Sequence, residues 1–356
     1  MSIRVVQWST GNVGRHAIAG IAARPELELV GVWVSDPAKV GQDAGKLAGL
    51  DRDLDVIATN DADELLALQP DCIVHTAMAD NRLMDAIDDL KRFLAAGINV
   101  VSSSPVFLQY PDGTVPPELS DPIKQAAIDG GASLFVNGVD PGFANDWLPL
   151  VLTSVSERID EVRCMEVLDY STYNSATVIF DVMGFGKPLD ETPMLLMPGV
   201  LSLAWGSVVR QLAAGLDVRL DAVTENVVRL PARETFDIAS GTIRKGTQAA
   251  LRFEVLGMRG GRPVVVLEHV TRLRADLGPD WPQPVGQGCY RVKITGEPNY
   301  TVDLELLGTD GDHNTAGLKA TAMRLVNAVE AVVAAPPGLL TALDLPLITG
   351  RGLVAD

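Results

Sequence analysis

Val5-Val6-Gln7-Trp8-Ser9-Thr10-Gly11-Asn12-Val13-Gly14-Arg15-His16-Ala17 decides the fold. A strand-like apolar run leads into a glycine turn and then a helical stretch. Read against the G-x-G-x-x-G dinucleotide fingerprint, Gly11 takes the middle glycine, where a missing side chain lets the backbone approach a pyrophosphate. Gly14 takes the third, where it permits close helix–strand packing, and Ser9 stands in for the first. The alternative is a tight strand-to-helix turn without a ligand.

Working outward, the first ~135 residues alternate short apolar runs with longer amphipathic ones. Strands are expected at Ile3–Trp8, Glu28–Val34, Cys72–Thr76, Asn99–Ser102 and Ser133–Asn137. Helices are expected at Gly14–Ala23, Ala62–Leu68, Leu83–Ala96 and Pro122–Asp129. Such alternation implies βαβ units and a Rossmann-type parallel sheet. From about Arg158 to Leu307 the chain is mostly strand-like, with a helical interruption around Met197–Ala214. Gln248–Leu256 with Pro263–Leu273, and Tyr290–Thr295 with Thr301–Leu307, read as hairpins joined by glycine-rich turns. An α+β domain with a large antiparallel sheet is therefore expected. A final helix carries Ala316, Ala320, Met323, Leu325, Val326, Val329 and Val332 in a wide apolar stripe, stopped by Pro336-Pro337-Gly338. The expected domains are 1–148 (dinucleotide binding), 149–312 (substrate and dimerisation) and 313–356 (helix and tail returning to the first domain).

Of 356 residues, 29 are Lys or Arg and 46 Asp or Glu, a formal charge of −17. This balance argues against nucleic acid or anionic lipid as partner, because both need clustered cations. A long uncharged stretch, Thr192 to Val209, holds Pro193, Pro198, Gly199 and Gly206. It reads as a buried loop and helix rather than a membrane span. The N-terminus reads as a strand rather than a signal peptide. Three scattered cysteines give no disulfide framework, so a cytoplasmic protein is expected. His16, His75, His269 and His313 stand singly, so no metal site is expected.

Ser9 to Arg15 (Ser9, Thr10, Gly11, Asn12, Val13, Gly14, Arg15) are expected to cradle the cofactor phosphates. After the second strand come Ser35, Asp36 and Lys39. Asp36 suits the ribose 2′-hydroxyl of NAD, or caps the turn. Arg15, Ser35 and Lys39 suit the 2′-phosphate of NADP, to which the balance leans, with dual use open. His75-Thr76-Ala77 and Ser102-Ser103 follow later strands, where the nicotinamide half binds. A structural histidine and a serine turn are the alternatives.

The turn Thr10–Arg15 and the segment Val34-Ser35-Asp36-Pro37-Ala38-Lys39 resemble the dihydrodipicolinate reductase superfamily. Gly138-Val139-Asp140-Pro141-Gly142-Phe143 and Phe180-Asp181-Val182-Met183-Gly184-Phe185-Gly186-Lys187-Pro188 are similar to the branch holding 2,4-diaminopentanoate dehydrogenase and the native amine dehydrogenases. Dihydrodipicolinate reductase itself fits less well, since no His-His pair exists here. The resemblance implies hydride transfer between a nicotinamide and a carbon bearing nitrogen, that is, reductive amination of a small ketone or aldehyde with ammonia. It also implies a catalytic glutamate just after Asn99–Ser102. This sequence has Ser104-Pro105-Val106-Phe107 there and no carboxylate before Asp112.

Another group must then manage the proton. Asp140 in its Asp-Pro-Gly turn, Asn145 before the next helix, and Tyr173 are the catalytic candidates. Phe143, Trp147, Tyr170, Met183 and Met197 are candidates for the substrate pocket, with turn formation and core packing as alternatives. Two other functions stay open: an imine or carbonyl reductase for a larger apolar substrate, and a nucleotide-binding sensor without turnover. A homodimer is expected, because a large sheet leaves a face to be covered.

Overall fold

A computed structural model describes residues 2–80 and 82–354. The chain divides into two compact units, Met1–Val139 with Leu318–Asp356, and Asp140–Gly317. The expected boundaries were 148 and 312. The strands are β1 (Ile3–Trp8), β2 (Leu27–Trp33), β3 (Ala58–Thr59), β4 (Cys72–His75), β5 (Asn99–Ser102), β6 (Ser133–Val136), β7 (Arg158–Asp169), β8 (Ala222–Pro231), β9 (Phe236–Ile238), β10 (Gly241–Ile243), β11 (Gln248–Arg259), β12 (Arg262–Arg272), β13 (Gly288–Glu297), β14 (Tyr300–Leu304) and β15 (Gly338–Leu340). The α-helices are α1 (Gly14–Ala22), α2 (Ala44–Ala48), α3 (Ala62–Ala67), α4 (Leu83–Ala95), α5 (Pro117–Gly130), α6 (Trp147–Thr153), α7 (Val200–Gly215) and α8 (His313–Val333).

The first unit is a seven-stranded parallel sheet in the order β15-β6-β5-β4-β1-β2-β3. Strand order reverses at β1, the switch point where such sheets bind ligands. Trp33, Trp8, His75 and Ser102 are successive cross-strand partners and form the last row of the sheet. The residues after that row make the ligand-facing loops. Helix α4 buries Ala86, Ile87, Leu90, Phe93 and Leu94, the one-sided spacing of an amphipathic helix. Gly97, at φ 79°, ends that segment. Helix α5 starts at Pro117 instead of Pro122, because Pro117 presets φ at the first helical position. Ala322, Leu325, Val326, Val329 and Val332 of α8 share one core with Val5, Val74, Val101 and Phe135. β15, unforeseen from the sequence, extends the sheet beside β6.

The second unit holds a six-stranded sheet in the order β14-β13-β7-β12-β11-β8. Its pairings are antiparallel except for the parallel pair β7–β12. Both expected hairpins form. Gly260 (φ 59°) and Gly261 (φ 76°) supply the two left-handed residues that a tight β11–β12 turn needs. Val208, Val209 and Leu212 of α7 pack with Val162, Cys164, Phe253 and Leu267 on one sheet face. Side chains alternate along a strand, so Arg163, Arg252, Glu254 and Glu268 occupy the other face. There Arg163 pairs with Glu254 at 2.7 Å and Glu268 at 2.5 Å. The Phe180 segment, expected to be strand-like, is a π-helical turn at Thr177–Val182. It places Ile179, Met183 and Phe185 in the core.

Candidate active site

Ser9 adopts φ 80°, the left-handed geometry that a glycine provides in the fingerprint. The first glycine is thus replaced in residue type but not in conformation. A Cβ on Gly14 would meet the Ser9 carbonyl oxygen at 2.1 Å and Thr76 Oγ1 at 2.8 Å. Only glycine allows α1 to lie that close to the strand ends. A Cβ on Gly11 would meet nothing nearer than Ser9 Oγ at 4.0 Å, so the space above it is open for a phosphate. Helix α1 has no side-chain cap and no acid in its first turn, which leaves its N-terminus suited to an anion. Gln7 Nε2 locks the turn by donating to the Ser9 carbonyl (2.8 Å) and to Thr76 Oγ1 (2.8 Å). These features fit a dinucleotide pyrophosphate.

Lys39 Nζ reaches the Thr10 carbonyl and Thr10 Oγ1, both at 3.2 Å, and so lies over the turn. Asp36 Oδ1 accepts from the Ala38 amide at 2.9 Å and caps the short 3-10 turn Pro37–Lys39. Asn12, Arg15, Ser35 and Asp36 are exposed on this rim, while Val13 is half-buried. His75 and Ser102 are wholly buried and hold each other, Nδ1 to Oγ at 2.8 Å. Burial and then Arg82 pull the His75 pKa down to about 3, so the ring is neutral. Ala77 is buried, and Thr76 and Ser103 are half-buried at the strand ends. Ser104, where the resemblance implies a glutamate, donates to the Ala77 carbonyl at 2.6 Å.

In the second unit, Asp140 meets two residues that sequence reasoning missed. His269 Nε2 lies 3.2 Å from Asp140 Oδ1, and His269 Nδ1 lies 3.4 Å from Glu166 Oε1. Trp205 Nε1 donates to Asp140 Oδ1 at 2.9 Å, and the Tyr170 hydroxyl donates to Glu166 Oε1 at 2.8 Å. The His269 ring stacks on Phe253 (4.6 Å, 10°) and stands edge-on to Trp205 (4.7 Å). Burial alone would lower the His269 pKa. Asp140 and Glu166 outweigh it and hold the ring protonated, with a pKa of about 10. Burial and then Glu166 push the Tyr170 hydroxyl up, so it stays a donor. One ligand-type atom each from Asp140, Glu166 and His269 lies within 4.8 Å of the others. Both ring nitrogens point at carboxylate oxygens, which suits a proton on each.

β-Sheet register builds this cluster. Glu166 on β7 is the cross-strand partner of His269 on β12 and of Tyr290 on β13, and His269 is the partner of Phe253 on β11. Glu166 falls in phase with Val162, Cys164 and Leu168, the buried side of its strand. A carboxylate in an apolar phase is the one sequence signal that could have pointed to it.

Tyr173 stacks on Tyr170 at 5.0 Å and thereby joins the cluster. Asn145 is buried. Its Oδ1 accepts from the Gly142 amide at 2.8 Å, and its Nδ2 has no partner among the described residues. Phe143 and Trp147 stack at 5.8 Å. Met183 lies in the hydrophobic core and Met197 is exposed. The apolar stretch through Leu195, Leu201, Val208 and Val209 is also core.

The C-terminal domain model of 2,4-diaminopentanoate dehydrogenase matches residues 143–354. An amine dehydrogenase from Streptomyces virginiae is 44% identical over 349 residues, covering 97% of this chain and 96% of that one. The 2,4-diaminopentanoate dehydrogenase of Acetoanaerobium sticklandii is 24% identical over 368 residues, covering 99% and 96%. The structure of an amine dehydrogenase from Mycobacterium smegmatis has the same fold, with TM-score 0.80 at 24% identity, covering 99% and 98%. No helix among the described residues is long and apolar enough to cross a membrane.

Proposed function

The chain belongs to the family of amine dehydrogenases and 2,4-diaminopentanoate dehydrogenase, and from that premise we propose how it works. It is an NAD(P)-dependent oxidoreductase of a C–N centre: a small ketone or aldehyde and ammonia on one side, a primary amine on the other. One observation carries this reading. Asp140, Glu166 and protonated His269 form a buried cluster with two negative charges and one positive. The residual negative charge complements an ammonium or iminium cation and gives nothing to a neutral carbonyl. When bound, the nicotinamide supplies or accepts the hydride. Glu166 replaces the acid missing after β5: it holds the nitrogen and takes or returns its proton. Tyr170 keeps one Glu166 oxygen oriented. His269 lies between Glu166 and Asp140 and offsets the charge of one of them. Asp140, with Asn145 close by in the chain and Tyr173 beside Tyr170, completes the polar wall.

The cofactor is a nicotinamide dinucleotide, and the assignment within that class is NADP, with NAD retained as a second substrate. Lys39 over the turn, exposed Arg15 and Ser35, and the capping role of Asp36 support it. A homodimer formed through the sheet face opposite α7 belongs to the same proposal, as does a reducing cytoplasmic setting, supported by three free, buried cysteines. Light scattering at micromolar concentration that returned 38 kDa would refute the dimer.

The test is spectrophotometric. Protein, NADPH or NADH, ammonia and a panel of small ketones and aldehydes are mixed, and absorbance at 340 nm is followed. Ammonia-dependent oxidation of the cofactor is expected. Binding of cofactor without turnover across the panel would overturn the enzymatic reading. Turnover that needs no ammonia would move it to a carbonyl reductase.

A further inference from the structure

At the ends of β7 and β12 a cavity of about 420 Å³ opens within the second unit, lined by Asp169, Ser171, Thr172, Arg272, Ala275 and His313 among others. Arg272 sets its chemistry. Its side chain is buried, 3% exposed. Its Nε donates to the Leu277 carbonyl at 2.8 Å, and Nη2 to the Pro282 and Gly278 carbonyls at 2.9 and 3.2 Å. The guanidinium lies over the Trp281 ring at 5.8 Å. Nη1 makes no hydrogen bond within the described residues, and no carboxylate among them comes within ion-pair distance. Arg163, Arg252, Arg274 and Arg291 of the same unit each have such a partner. The guanidinium is thus largely withdrawn from water with only neutral partners in contact, a state that an anion in the cavity would relieve.

The nearest opposing charge is Asp169, the cross-strand partner of Arg272. Its field opposes the lowering of the Arg272 pKa by burial. Asp169 Oδ1 accepts from the Ser171 amide at 2.7 Å. The cavity wall therefore carries one cation and one anion. It has no surplus charge for a phosphate dianion, but it matches a ligand that carries one charge of each sign. His313 adds to this: its Nε2 donates to the Asp169 carbonyl at 2.6 Å, and its Nδ1 has no hydrogen-bond partner among the described residues.

We propose that this cavity is a binding site for a small zwitterionic amino acid, with its carboxylate on Arg272 and its ammonium toward Asp169. The site goes beyond the C–N chemistry and does not depend on it.

Isothermal titration of the full chain without added cofactor tests this, using glycine, alanine, acetate, methylammonium and inorganic phosphate as probes. Saturable binding of the amino acids is expected, with acetate and methylammonium each weaker by about tenfold or more, since each loses one charge-assisted contact. Arg272→Lys should weaken amino-acid binding by about tenfold or more, because the planar fork is lost. Arg272 also staples the loop that follows β12, so a second variant is needed. Ala275 is exposed at the rim, and Ala275→Trp fills the mouth without touching the guanidinium. It should abolish amino-acid binding with the melting temperature unchanged. Three results would each overturn the site: phosphate or acetate binding as tightly as the amino acids, amino-acid binding that survives Ala275→Trp, or no amino-acid binding at all.

Discussion

Glu166 and His269 stand opposite each other on neighbouring parallel strands, and Nδ1 of the ring lies 3.4 Å from Glu166 Oε1. The other ring nitrogen serves Asp140 in the same way at 3.2 Å. In the proposed reading the imidazolium offsets the charge of one carboxylate, and the charge of the other is the surplus that meets a cationic substrate.

Glu166→Gln removes that surplus while keeping shape and the hydrogen bond from Tyr170. Its kcat for reductive amination should fall by about 10²- to 10⁴-fold, the usual scale for losing an acid–base group. Cofactor affinity, measured by fluorescence titration, should be unchanged. A near-normal kcat would remove Glu166 from the chemistry.

Alkaline pH should weaken the fold through His269. Its pKa is about 10 in the folded chain, against an ordinary value of 6.5. A raised value means stabilisation that is complete below about pH 6.5 and lost progressively as pH rises through about 10. Urea midpoints at pH 7, 8.5 and 10 should decline over that window, and the decline should be smaller in His269→Gln. Imidazole nitrogen shifts should show the ring still protonated at pH 8.

His75 should act on the acid side. It is buried and neutral with a pKa of about 3, whereas the unfolded ring takes a proton near 6.5. Stability should therefore fall as pH drops from about 6.5 toward 3. His75→Gln, which has no such proton to take up, should show a shallower fall in circular-dichroism unfolding midpoints across that range.

Gly11 and Gly14 should separate binding from folding. Gly14→Ala drives a methyl to 2.1 Å from a backbone oxygen, and should destabilise the chain by about 1–3 kcal/mol as overpacking does. Gly11→Ala has room. It should leave the melting temperature alone and weaken NADPH and NADH alike by more than about tenfold, because the added methyl stands where the pyrophosphate approaches.

Lys39 and Asp36 should separate the two cofactors. Lys39→Ala is expected to raise the KM for NADPH by about tenfold or more while changing that for NADH little. Asp36→Asn keeps the cap to Ala38 and removes charge near the 2′ position, so the NADPH/NADH ratio of kcat/KM should rise. Equal effects on both cofactors would mean that neither residue touches the 2′ group.

The first unit was readable residue by residue because its information is local. Val5 to Ala17 encodes strand, turn and helix in one run, and even the Ser9 substitution preserves the left-handed turn. β15 escaped notice because three residues carry too little pattern to announce a strand. In the second unit the sequence identified the hairpins, Asp140 and the Tyr170–Tyr173 pair, but not what they would meet. Residues 140, 166, 205 and 269 come from four separate segments of the chain. Strand pairing is fixed by packing both faces of the sheet at once, and a slip of one residue would send Glu166 to the face of Arg163. Short-range periodicity and the glycine turn thus determined a parallel sheet that opens with a strand, turn and helix suited to a dinucleotide. That Glu166 is a buried acid facing His269 came only with the long-range register that brought β7 and β12 together.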